Sequence, residues 1–211
     1  MATSAQSHAS QHWDSVYSTK SAQERSWTET VPDESLDFIK QTSTDLDASV
    51  IDIGGGASLL VDELLNAGYS NVSLLDISQA ALDETKTRID ATPNKSHVSY
   101  ICTDITQWQP THTYTTWHDR AVFHFLTDKN EQNVYVALAS TAIASGGHLV
   151  LATFAPDGPE SCSGLPVQRW SVNELARLFS DSFTLVDSTT SNHTTPWDSK
   201  QPFTWVVLKR K

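Results

Sequence analysis

Two cysteines in 211 residues, Cys102 and Cys162, are too few and too far apart for a disulfide framework or a CxxC site. They read as free thiols of a reducing compartment. No apolar run approaches the roughly 20 residues that a membrane-crossing helix needs. The first ten residues are small and polar and lack the apolar segment of a secretory leader. The expectation is a cytoplasmic protein with a flexible tail over residues 1–10. Positive charge is scarce too, with 14 Lys and Arg against 25 Asp and Glu and a formal net charge of −11. Such a surface repels phosphate backbones and anionic bilayers, so neither nucleic acid nor membrane is an expected partner. The eight histidines fall into no HxH or HExxH spacing, and no metal site is expected. No fixed-period repeat is visible. The length suits one domain, residues 11–211, as a monomer or homodimer.

What is present is an alternation of short β-branched runs with helical patterns. Ser49 to Ile53 reads as a buried strand, followed by three glycines and a helix over 58–67 that Gly68 ends. Val72 to Leu75 is a second strand; Ser78 caps a helix that Pro93 stops. Val98 to Cys102 and Tyr114 to His118 follow as strands, then a helix from Thr127 through Ile143. Gly146-Gly147 reads as a turn into the strand His148 to Phe154. A loop rich in proline and glycine spans 155–170, Ser171 caps another helix, and Phe183 to Val186 and Phe203 to Leu208 are two last strands. The pattern predicts an α/β, Rossmann-like, mostly parallel seven-stranded sheet with helices on both faces and an antiparallel C-terminal edge hairpin. Residues 11–45 form a helical N-terminal segment, with Trp13 and Tyr17 on one helix face and Pro32-Asp33 starting a second helix. Ligands of such sheets bind where strand order reverses, at the strands' carboxyl ends.

The first strand runs into Asp52-Ile53-Gly54-Gly55-Gly56-Ala57-Ser58. Glycines here let the backbone approach a ligand with no Cβ in the way. A dinucleotide fingerprint would need a third glycine where Leu59 stands, and Leu59 would disturb helix–strand packing. Asp52 would repel a pyrophosphate and suits a ligand ammonium. Asp76, about 20 residues on at the end of the second strand, can accept both hydroxyls of a ribose. A ligand with a ribose, an ammonium and no phosphate is S-adenosylmethionine. A nicotinamide oxidoreductase is the weaker reading of the loop.

Val50 to Ser58 resembles motif I of class I S-adenosylmethionine-dependent methyltransferases, Asp76 resembles their ribose-binding acid, and Thr103-Asp104-Ile105 resembles the segment that meets the adenine amino group. The resemblance implies a cofactor site of Asp52, Gly54, Gly55, Gly56, Ser58, Asp76, Ile77, Asp104 and Ile105, with Asp119 beside them. Ser58 replaces a glycine common in the family; serine recurs there in protein-lysine methyltransferase relatives. The segment His12-Trp13-Asp14-x-x-Tyr17 with Trp27 resembles the N-terminal segment of small methyltransferases, which folds over the cofactor's methionine end. Aromatic faces there suit a sulfonium.

The end of the fourth strand, Trp117-His118-Asp119-Arg120, faces the transferable methyl group in this family. If the acceptor needs a general base, Asp119, His118 and His124 are the candidates, in that order. Arg120 and Arg169 are candidate acceptor contacts. The expected activity is methyl transfer by in-line displacement to a small-molecule nucleophile. The alternatives are a protein-lysine substrate and a non-catalytic S-adenosylmethionine-binding protein.

Overall fold

The computed structural model describes residues 8–93 and 95–211. Its central sheet contains β1 (Val50–Ile53), β2 (Val72–Asp76), β3 (Val98–Cys102), β4 (Tyr114–Arg120), β5 (Ile143–Phe154), β8 (Phe183–Thr194) and β9 (Lys200–Arg210), in the order β3-β2-β1-β4-β5-β9-β8. The first five strands in that order are parallel; β9 is antiparallel to both β5 and β8. The seven-stranded mostly parallel sheet and its antiparallel edge hairpin are therefore as the sequence implies. Strand order reverses between β1 and β4, which opens a crevice at the carboxyl end of β1.

The alternation along each strand assigns its side chains to two layers. Ile51 and Ile53 of β1 face Tyr135 and Ala139 of α5 (Lys129–Ala142) and Leu175 of α6 (Val172–Leu178), around the buried Trp117. On the other face Val50 and Val72 meet α2 (Asp33–Thr42), α3 (Leu60–Asn66) and α4 (Gln79–Asp90). There Phe38 stacks on Trp205 with ring centroids 5.3 Å apart. Both faces being covered explains why β1 and β2 are apolar almost throughout.

Helix starts follow their caps. Ser78 Oγ accepts from Ala81 N at 3.2 Å, Asp128 Oδ1 accepts from Asn130 N at 2.8 Å, and Ser171 with Glu174 forms a reciprocal capping box.

Three boundaries differ from expectation. Helix α1 (His8–Thr19) starts inside the segment read as a tail, while residues 1–7 lie outside the described residues. Ile143 and Gly146-Gly147 belong to β5 and make no turn. The strand instead shifts register against β4 between Tyr114 and Thr116, and a Cβ on Gly147 would lie 2.7 Å from the Thr115 carbonyl oxygen. The glycine thus permits an irregularity inside a strand rather than its beginning. The last two strands are also longer than expected, β8 about threefold and β9 nearly twofold, because pairing with each other, rather than burial, carries their polar halves. The 155–170 loop contains a two-stranded ribbon, β6 (Ser161–Cys162) with β7 (Leu165–Pro166). Cys102 and Cys162 are both free thiols.

Candidate active site

The carboxyl ends of β1, β2 and β3 deliver the glycine loop, Asp76 and Asp104 to one side of the sheet. A cavity of about 300 Å³ there is lined by Gly54, Asp76, Ile77, Asp104, Ile105 and Arg120, and roofed by Trp13, Tyr17, Trp27 and Phe125. A second cavity of about 280 Å³ lies behind it and is lined by Asp52, Gly54, Gly55, Ser58, Glu29 and His118. Tyr17, Trp27, Ile53, Gly54 and Arg120 line both.

The loop is tight enough that only glycine fits. A Cβ on Gly55 would lie 2.1 Å from Asp52 Oδ2 and 2.3 Å from Leu74 Cδ1. Gly54 and Gly56 have φ of 65° and 43°, and a Cβ on Gly54 would strike Val122 Cγ2 at 2.0 Å. Val122 is there because Ala121 turns the chain out of β4 with φ 73°, an uncommon conformation for a residue with a Cβ. Thr85 on α4 donates its hydroxyl to the Gly56 carbonyl at 2.7 Å.

Asp76 is buried, accepting from Ser78 N at 2.8 Å. Burial lifts its pKa to about 7; the backbone bond from Ser78 opposes this, and the Asp52 and Asp14 charges add to it. Asp104 uses Oδ1 in its own turn, accepting from Thr106 N and Oγ1 at 2.8 and 2.7 Å.

The aromatic roof is one contact group. Trp13 lies edge-on to Trp27 at 5.7 Å and to Phe125 at 5.2 Å, and Tyr17 lies edge-on to Trp27 at 6.1 Å. Two latches hold it to α4. Asp14 accepts from Ser78 Oγ at 2.7 Å and from Ala80 N at 3.2 Å. Arg25, stacked 4.6 Å over the Tyr17 ring, pairs with Glu84 at 2.8 Å.

Comparison with known proteins agrees with this geometry. Residues 50–147 match the model of a family described as a methyltransferase domain. Over these residues the chain resembles a methyltransferase domain, and its fold is the Rossmann-like fold of solved methyltransferases. A malonyl-[acyl-carrier protein] O-methyltransferase of Ilyobacter polytropus is 27% identical over 110 residues, which are 52% of this chain and 40% of that protein. The match thus spans about two-fifths of that relative's length. Among solved structures, the N-methyltransferase NodS from Bradyrhizobium japonicum, in complex with S-adenosylhomocysteine, superposes with TM-score 0.72 at 14% identity, covering 97% of this chain and 99% of that one. The CcbJ methyltransferase from Streptomyces caelestis gives TM-score 0.71 at 14% identity, covering 98% and 99%.

The cofactor that this resemblance implies is S-adenosylmethionine, and the residues present fit it. The glycine cradle is one that any Cβ would fill, and a buried acid stands at its rim. Ile77 and Ile105 supply apolar walls. Among the candidate residues, Asp52 and Ser58 line the rear cavity but each directs an oxygen to the protein itself. Asp52 is buried under the loop, and its Oδ1 lies 2.7 Å from His118 Nδ1. It therefore fixes His118 of β4 from the wall of the rear cavity. Ser58 is exposed, and its Oγ accepts from Leu60 N at 3.1 Å, where it serves the first turn of α3.

Three further assignments are corrected. Asp119 points to the opposite face of the sheet from His118. Its Oδ1 accepts from Val122 N and Phe123 N at 2.9 and 3.3 Å, and its Oδ2 accepts from Tyr135 Oη at 2.6 Å. Burial raises its pKa to about 6 against these bonds, but it lines neither cavity. It holds the β4 exit loop. His124 is fully buried between Phe125 and Phe154, with Nδ1 accepting from Phe154 N at 3.4 Å. Burial, with the Arg120 charge, lowers its pKa to about 3, so it stays neutral in the core. Arg169 pairs with Glu160 at 3.1 Å and with the Gly158 carbonyl at 3.2 Å, outside both cavities.

Sequence reasoning gave no role to Asp14, Glu29, Phe125 and Glu131, all of which border or latch the site, whereas the 155–170 loop does bring Cys162, Leu165 and Pro166 to the front cavity. Phe125 alone carried a local signal, as an aromatic just past the fourth strand. The others reach the site through chain reversals that have no periodic signature.

Proposed function

We propose that the chain transfers the methyl group of S-adenosylmethionine to a small-molecule nucleophile. The observation that carries this reading is the delivery of the glycine loop, Asp76 and Asp104 from three adjacent strand ends into one aromatic-roofed cavity. Asp76 accepts the ribose hydroxyls, and the second oxygen of Asp104 accepts from the adenine amino group. The Gly54–Gly56 backbone meets the methionine portion. Trp13, Tyr17, Trp27 and Phe125 present ring faces and edges to the sulfonium and exclude water. The bound cofactor supplies a methyl already activated for displacement, so the protein's work is alignment in a dry cavity.

If the acceptor must lose a proton, His118 takes it. It lines the rear cavity, Asp52 orients its Nδ1, and its buried Nε2 has no hydrogen-bond partner. The named relatives include N- and O-methyltransferases, which supports methyl transfer to a small nucleophile and not one particular accepting atom.

Calorimetry with S-adenosylhomocysteine and NADH tests the cofactor. Incubation with methyl-labelled cofactor and a fractionated lysate tests the acceptor. Binding of S-adenosylhomocysteine alone, with label in the low-mass fraction, is the expected result. Label confined to protein bands would overturn the small-molecule reading, and tight binding without any transfer would overturn catalysis.

A further inference from the structure

Arg120 ends β4 and lines both cavities, yet much of its hydrogen-bonding capacity is unused. Its side chain is 10% exposed, and it is the one lysine or arginine lining the front cavity among the described residues. Nη1 donates to the Trp27 carbonyl at 3.3 Å. Nη2 lies 3.0 Å from Glu29 Oε1 without hydrogen-bond geometry, and Nε has no hydrogen-bond partner. A buried guanidinium ordinarily has its donors satisfied. The Phe203 ring lies 4.8 Å beneath it, and Trp27, Cys162, Leu165 and Pro166 supply apolar surface beside it.

We propose that Arg120 receives a carboxylate carried by the methyl acceptor, and that Glu29 stands in for that carboxylate until the acceptor binds. The proposal rests on the methyltransferase reading and names the acceptor's class: a monocarboxylate on an apolar body.

Three features favour it. The guanidinium fork matches a planar carboxylate bidentately, and the unused Nε and Nη2 are two donors on one edge of that fork. Exchange of one carboxylate for another leaves the buried cation paired throughout, so the acceptor's apolar part supplies the net affinity. Glu29 also has somewhere to go, since its side chain is 22% exposed and can turn to solvent beside His193, whose Nδ1 lies 3.6 Å away and whose Nε2 donates to the Ser26 carbonyl at 2.6 Å. A cationic acceptor would meet Arg120 at the deep end of the cavity. A dianion would be opposed by Asp76, Asp104 and Glu131 along its walls.

The test uses the full chain saturated with S-adenosylhomocysteine and titrated calorimetrically with matched pairs: benzoate and benzamide, phenylacetate and phenylacetamide, hexanoate and hexanamide. At least one carboxylate should bind tenfold or more tighter than its amide. R120M should abolish that preference, and R120K should retain part of it. E29Q should tighten carboxylate binding about fivefold, because the internal competitor becomes neutral; a purely structural Arg120–Glu29 pair would predict weaker binding instead. Absence of any carboxylate preference, or E29Q leaving it unchanged, overturns the proposal. So does an effect of E29Q and R120M on S-adenosylhomocysteine affinity alone, which would assign the guanidinium to the cofactor's own carboxylate. Failure of S-adenosylhomocysteine to bind the wild type would instead overturn the cofactor reading.

Discussion

Asp76→Asn separates what Asp76 does for a ligand from what it does to the fold. The carboxyl is 5% exposed, and burial lifts its pKa from 3.8 to about 7. A folded pKa above the unfolded one means that this group's contribution to stability is intact below pH 3.8 and is lost as pH rises through 7. Above that, the folded protein bears the full cost of a buried carboxylate. The gap between 3.8 and about 7 corresponds to roughly 4 kcal/mol as a ceiling. Local relaxation brings this to about 2 kcal/mol. Asparagine keeps an oxygen to accept from Ser78 N, as Asp76 does at 2.8 Å. At pH 8.5 the ligand-free variant should therefore unfold about 4–8 °C higher than the wild type, given how Tm responds in chains of this size. At pH 5 the wild-type carboxyl is already protonated when folded, and the gain should shrink to about a third. Calorimetric titration should show the opposite effect on function: tenfold or weaker S-adenosylhomocysteine binding by the variant at both pH values. Thermal unfolding at the two pH values decides the matter. An equal or lower Tm for the variant at pH 8.5, or a gain independent of pH, would refute the argument that a buried charge is maintained here for a ligand.

Gly55→Ala brings a methyl to 2.1 Å from Asp52 Oδ2; S-adenosylhomocysteine affinity should fall at least tenfold with a lowered Tm, both read by calorimetry. Asp119→Ala removes the acceptor of Val122 N, Phe123 N and Tyr135 Oη, and should cost about 3 kcal/mol in chemical denaturation, while Asp119→Asn keeps most of the turnover measured with a working acceptor. Trp27→Ala removes the wall shared by the two cavities; circular dichroism should be unchanged while S-adenosylhomocysteine binding weakens about tenfold.

The fold and part of the candidate site were legible in the sequence for one reason: they depend on short-range order. Strand β1, its glycines and the acids at the ends of β2 and β3 are each set within a few residues, and parallel connections align their carboxyl ends on one side. The cap residues Ser78, Asp128 and Ser171 likewise announce their helices locally. Position along the fourth strand could be read in the same way, but the direction of each side chain could not. His118 and Asp119 are neighbours in sequence, yet alternation sends one to the cavity side with Asp52 and the other into the core against Tyr135. Sequence spacing ranked Asp119 first among candidate bases; the strand's period of two removes it. The Gly146-Gly147 pair carries the same lesson, since a turn and an irregular strand ask for the same residue. Arg120 could be placed at the end of the fourth strand from the sequence, but its grouping with Glu29 and His193 could not. That grouping joins residues 29, 120 and 193 from a loop, the end of β4 and β8, and only the packed sheet makes them neighbours.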